Sequence, residues 1–296
     1  MPSKINLAYE GDTKPAIEGL SLDTYRFVQT SICGSTTEAG DFYRLDWHHW
    51  LFSNNDFRGH IKNVIAAKPK YLLVFDSPFG YERPPQIPIS AFEAKAYERT
   101  HVAIDEFREK SPNTILLSPA VDILEEDLGK RYLDYFIHHR NLFDGYAVRC
   151  CFSPTEQNCA KLNAFLNAVL KINSKPVWVT TWAIPSCDQI ISNSTNTEEN
   201  PKILTSEKAA SRMVSLFKEV EKITHGNSLW FYSTAQDLYG KITLEKQWWS
   251  DYFYRPNNFS EGWDWYHFLG LYDFRGKIKT PIAEALKRLC HAETAS

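Results

Sequence analysis

CAKLNAFLNAVLKINSKPVWVTTWAI, residues 159–184, joins two patterns that belong to different kinds of secondary structure. As far as Asn173 it reads as a helix. From Pro176 to Ile184 it is apolar and β-branched without polar alternation, the signature of a strand buried on both faces. The same unit recurs in both directions. Before it come a helix over EEDLGKRYLDYFIHHRNL and a strand over FDGYAVRCCF (143–152). After it come the strongly periodic helix TSEKAASRMVSLFKEVEKI (205–223), opening at a Thr/Ser cap, and the strand NSLWFYSTAQD (227–237).

Further out, TYRFVQTSIC (24–33) and KYLLVFDSP (70–78) read as strands. SAFEAKAYERTHVAIDEFREK (90–110) reads as an amphipathic helix, with Ser90 as N-cap and Glu93 completing a capping box. SPNTILLSPAVD (111–122) is a strand entered through Pro112, and TPIAEALKRLCH (280–291) is a last helix with Pro in its first turn. INLAYEG (5–11) supplies one early strand. Alternation of this kind predicts a parallel sheet with crossover helices, and a closed barrel and an open doubly wound sheet both fit it. No GxGxxG or GxxxxGK[ST] comes after any strand, which removes the main support for a nucleotide site.

The chain has 296 residues, and a strand–helix barrel of roughly 250 residues would use nearly all of them, so one domain over 1–296 is expected. ISNSTNTEENPK (191–202) reads as an exposed loop, and residues 241–268 as a long aromatic insertion. Thirty-three basic and thirty-six acidic residues leave a net charge of −3, which favours neither nucleic acid nor an anionic membrane as partner. The aromatic fraction of 14% is the main deviation; it suits either sugar-stacking surfaces or a ring-filled core. The six cysteines lack zinc-site spacing and are read as small apolar residues in a reducing compartment. The paired histidines of DWHHW (46–50) and FIHHR (136–140) diverge on any regular element, so neither a metal nor a cofactor is expected. The N-terminus shows no apolar signal region and no run is long enough to span a membrane. A cytoplasmic chain is therefore expected, with a processed exported form left open. Nothing in the sequence bears on oligomeric state.

From about residue 70 the ordered segments resemble the clan of (β/α)8 glycoside hydrolases that use two glutamates. VFDSP (74–78) stands where that clan has a strand ending in Asn-Glu-Pro, and SPNTILLSPAV (111–121) at the next place in the series. FDGYAVRCCF stands at its Asp-Gly strand, KPVWVTTWAIP (175–185) at its nucleophile strand, LWFYSTAQD (229–237) at the penultimate element, and FLGLYDFRGKIKTPIAEAL (268–286) at the ending. The resemblance covers about three quarters of the chain and implies a TIM-type barrel acting on or binding a carbohydrate. The first quarter is short for such a barrel. Either the barrel is incomplete there, or GWDWYHFLGLYD fills the gap.

The departures fall at the chemistry. Ser77 stands in the place of the acid/base glutamate, after Asp76, and Thr181 in that of the nucleophile. A retaining mechanism needs two carboxyl groups about 5 Å apart, and a hydroxyl can replace neither. Working residues of a parallel barrel lie at the C-terminal ends of its strands, which selects Asp76, Ser77, Asp122, Arg149, Trp182 and Asp237. An inverting pair, about 6.5–9.5 Å apart with water between, could use Asp76 as acid and Asp237 or Asp122 as base. Each aspartate could equally cap a turn. Arg149 could clamp an acidic sugar or pair with one of those aspartates. Ser77, Thr181, Trp182 and Trp230 complete the expected substrate contacts. A carbohydrate-binding protein that has lost the chemistry is the alternative reading.

Overall fold

The computed structural model describes residues 3–9, 17, 19–20, 22–30, 40–45, 57–74, 89–122, 141–150, 156–172, 174–186, 188, 204–233, 270–273 and 276–294. Its strands are β1 (Ile5–Tyr9), β2 (Thr24–Thr30), β3 (Phe42–Leu45), β4 (Tyr71–Leu73), β5 in two segments (Ile115–Leu117 and Val121–Asp122), β6 (Tyr146–Cys150), β7 (Val177–Trp182) and β8 (Ser228–Ser233). The helices are α1 (Phe57–Ala66), α2 (Ile89–Lys110), α3 (Glu156–Ile172), α4 (Ser206–Thr224) and α5 (Thr280–Thr294).

Every ladder between these strands is parallel, and their order closes on itself. β1 pairs with both β2 and β8, and the ladder runs on through β3 and β4 on one side and β7 and β6 on the other. The first segment of β5 pairs with β4, through Ile115 opposite Tyr71. Its second segment pairs with β6, through Val121 opposite Val148. The two ends of the sheet are therefore halves of one strand, and eight strands make a nearly closed (β/α)8 barrel. The open doubly wound alternative is excluded. Pro119, which has no N–H to give, sits at the seam. Beside it the Ser118 amide donates to Gly145 O (3.1 Å), and Ser118 Oγ accepts from the Ala147 amide (2.9 Å).

The first quarter supplies its share of strands. Its missing strand is β3, FYRL, which pairs with β2 and β4 and which the sequence does not announce. Only eleven residues separate β2 from β3, just short of the dozen or so that a crossover usually takes. The first 45 residues thus hold three strands, with no need for GWDWYHFLGLYD to fill in.

Side chains alternate across each strand and make two cores. Inside the barrel, Tyr25, Phe27, Phe42, Tyr71, Trp178 and Phe231 form a plug of rings, with Phe27 stacked on Phe42 (centroids 4.3 Å apart) and Trp178 on Phe231 (5.7 Å). Much of the unusual aromatic content is therefore packing. Outside the barrel, Val148, Cys150, Val177, Trp182, Trp230 and Tyr232 meet the apolar faces of the helices. On α4 that face is Ala209, Ala210, Met213, Leu216, Phe217 and Val220. Thr205 caps this helix as expected, accepting from the Lys208 amide (3.2 Å), and His225 ends it in the left-handed conformation (φ 51°). α2 begins at Ile89, so Ser90 lies inside the helix and is not its cap.

Asp144 and Gly145, the Asp-Gly pair, each have a structural task. Asp144 accepts from the Leu116 amide (2.8 Å) and from Arg108 (3.0 Å), tying β5 and α2 to the entrance of β6. A Cβ on Gly145 would lie 2.6 Å from the Trp178 ring, so only glycine lets that ring enter the plug.

Candidate functional site

The geometry of the barrel mouth turns on one extra residue in β7. Across the β6–β7 ladder Val148 faces Val179, but Arg149 faces Thr181. Across β7–β8 Val179 faces Trp230 and Trp182 faces Tyr232, three residues against two. Thr180 is the bulged residue; it is buried, and its Oγ1 donates to Val148 O (3.4 Å). A bulge re-aims the side chains that come after it in the strand. In an unbroken strand Trp182 would share the inner side of Trp178. Instead it lies in the outer core, against Phe217 of α4 (5.7 Å) and Trp230 (4.7 Å). Thr181, on the opposite side from Trp182, turns to the barrel mouth, where it is partly exposed.

On β6, Ala147 belongs to the inner plug while Val148 and Cys150 belong to the outer core, so Arg149 points inward; it is 3% exposed. Asp122 is in register with Arg149, which sets Asp122, Arg149 and Thr181 at one level across three adjacent strands. On β3, Tyr43 and Leu45 face outward and Arg44 faces inward, 7% exposed, with its guanidinium carbon 5.4 Å from the Phe27 ring centroid. Sequence reasoning missed Arg44 because its strand was missed. The available signal was an arginine standing alone between Tyr43 and Leu45.

Trp182 and Trp230 do not serve as the sugar platforms expected of them. Both are 0% exposed and wedged between the barrel and α4, with no ring face open to a ligand. Trp230 Nε1 donates to Glu221 Oε1 (2.9 Å) and Ser228 Oγ (2.7 Å). Glu221 also accepts from Ser228 and pairs with Lys4 (2.5 Å), which makes a polar clasp between α4, β8 and the start of β1. Asp76, Ser77 and Asp237 lie outside the described residues, as do DWHHW, FIHHR and all of the aromatic insertion. Among the described residues no group of His, Cys, Asp and Glu is placed to hold a metal ion, and no helix is long and apolar enough to cross a membrane. Cys150, Cys159 and Cys290 are free thiols; burial, with Glu219 nearby, pushes the Cys159 thiol up to about 11, which makes it a poor nucleophile.

A nearly closed parallel barrel of eight strands, with the polar residues Asp122, Arg149 and Thr181 at one level across β5, β6 and β7, is a (β/α)8 architecture. The sequence agrees: residues 25–247 match the glycosyl hydrolase catalytic core, and the chain belongs to that family. Among solved structures it is similar to the catalytic domain of a family 53 glycoside hydrolase from Ignisphaera aggregans (12% identity, 82% of this chain and 72% of that one, TM-score 0.52). A psychrophilic family 10 endo-β-1,4-xylanase gives 14% identity, 82% and 75% coverage and a TM-score of 0.51. A thermostable mutant of xylanase Xyn10A from Cellvibrio japonicus gives 13%, 83% and 77%, and 0.52. At such identities the likeness is one of fold. No curated protein matches the sequence.

Proposed function

We propose that the protein is a glycosidase-type barrel that takes a saccharide at the C-terminal face of its strands and cleaves an O-glycosidic bond by inversion. Asp76 is the acid, and Asp237 or Asp122 the base. Ser77, Arg149 and Thr181 are substrate contacts. The observation that carries this reading is Thr181. The bulge at Thr180 turns it to the inner side of the wall beside Arg149, and the family resemblance aligns it with the clan's nucleophile. A site so presented favours a ligand there, and a hydroxyl in that place rules out the covalent route. An inverting pair drawn from other strands needs no nucleophile on β7.

The same threonine favours a second reading, in which the barrel keeps the groove and binds a carbohydrate without turning it over. Hydrolysis of a polysaccharide panel that includes xylan, run with Asp76→Asn and Asp237→Asn, separates the two. Product released by the parent and lost in both variants supports the enzyme and its carboxylates. Activity that survives both substitutions refutes the assignment of the pair. Binding without product supports the second reading.

A further inference from the structure

The end of the barrel opposite the mouth carries an opening of its own. A groove of about 440 Å³ lies between the C-terminal ends of α3 and α4 and the turns that lead into β7 and β8. That volume falls within the range of about 300–1,000 Å³ usual for small-molecule sites. Leu170 and Ile223 give it an aliphatic lining, both partly buried and packed on the outer core. Two amides line it in fixed orientations, since Asn167 Nδ2 donates to Asn163 O (2.8 Å) and Asn227 Nδ2 to Ser174 O (3.1 Å). Each Oδ1 is left to accept from a ligand. Lys171, Ser174 and His225 are exposed beside them, and the Lys171 ammonium makes no hydrogen bond or ion pair among the described residues.

Acceptors and donors therefore stand side by side around an apolar lining. An oxyanion has no hydrogen to give the amide oxygens, and a bare cation accepts nothing from Lys171. The field favours neither, because the partial negative ends of two helices offset the lysine. Neighbouring hydroxyls donate and accept at once, and the C–H face of a sugar ring suits Leu170 and Ile223.

We propose that this groove is a second, non-catalytic site that takes a unit of a neutral saccharide. It shares a ligand class with the reading of the mouth and does not depend on which carboxylates act there. Xylohexaose, cellohexaose, laminarihexaose and mannohexaose are titrated calorimetrically, at low and high salt, into the full chain and into Thr181→Arg, which crowds the mouth and leaves the groove untouched. At least one hexasaccharide is expected to bind the Thr181→Arg chain, with an affinity that salt does not change, as befits a neutral ligand. Adding Asn167→Ala or Lys171→Ala, at exposed positions of α3 where alanine favours the helix, should weaken that binding about two- to tenfold, the range for one hydrogen bond. Should Thr181→Arg fail to fold, as judged by circular dichroism, the same two substitutions in the parent decide. Binding that Thr181→Arg abolishes, or that both α3 substitutions leave unchanged, overturns the inference and leaves the carbohydrate reading of the mouth standing. Binding of no hexasaccharide to either chain overturns the inference and removes these neutral sugars from the mouth as well. Inorganic phosphate bound more tightly than any hexasaccharide, and lost on adding salt, overturns the neutral class.

Discussion

Replacing Trp182 by alanine separates a packing role from a ligand role more sharply than any other change at the mouth. The indole is fully buried and touches three rings: Phe217 at 5.7 Å, Trp230 at 4.7 Å and Tyr232 at 5.7 Å between centroids. A buried ring of this size removes about 150–250 Å² from water, or about 4–6 kcal/mol at about 25 cal/mol per Å². Truncation recovers part of that through relaxation, and Trp→Ala in a core costs about 3–5 kcal/mol. Urea unfolding followed by circular dichroism should show a loss of that size. Trp182→Phe should lose far less, because Trp182 Nε1 has no hydrogen-bond partner among the described residues. Trp230→Phe should cost about 1–3 kcal/mol more than Trp182→Phe, since it strips a donor from the Glu221 carboxylate. A Trp182→Ala variant of unchanged stability that no longer bound saccharide would refute the packing account and return this ring to the ligand.

Other perturbations test other parts of the molecule. Thr180→Glu should cost more than about 3 kcal/mol by burying a charge, whereas Thr181→Glu, one residue on and partly exposed, should cost under about 1 kcal/mol; similar losses in urea unfolding would contradict the bulge. Gly145→Ala forces a methyl to 2.6 Å from the Trp178 ring and should lower stability by about 1–3 kcal/mol, read as a fall in Tm. Burial holds the His60 imidazole at about 4, below its ordinary 6.5. The unfolded chain therefore binds the extra proton between pH 6.5 and 4, and stability should fall as pH drops through that window, by at most about 3 kcal/mol. His60→Gln should flatten the curve there, and an unchanged slope would remove His60 as its cause.

The parts of the barrel that could be read from sequence are those whose pattern is long or repeated. α3, β7, α4 and β8 succeed one another as periodic and apolar runs, and each packs as its pattern predicts. β3 escaped because four residues carrying an inward arginine look like a loop until their neighbours are known. The split in β5 is a tertiary fact: ILLSPAVD reads as one strand, and only pairing shows that its halves serve different partners. The choice of Arg149 came from the rule that barrel chemistry gathers at strand ends and that of Thr181 from the family resemblance; the two are register partners on the inner side of the wall. The same rule misassigned Trp182. Position along a strand gives depth but not side, and one bulged threonine moved that ring behind the wall.

The seam beside Pro119 also bears on how this ring of strands can be recut. Elsewhere around the ring, neighbouring strands meet through ladders of paired residues. At β5 the circuit is completed by the chain passing from one half-strand to the other, and by the single bridge of Leu117 to Gly145. Opening the backbone between Pro119 and Ala120 would break no described strand pair, and would leave nine strand segments whose ends still meet through the Leu117–Gly145 bridge and the hydrogen bonds of Ser118. A circular permutant with its new ends there would keep every ladder and lose only the covalent link, making the barrel's closure a quantity that can be weighed separately from its strands.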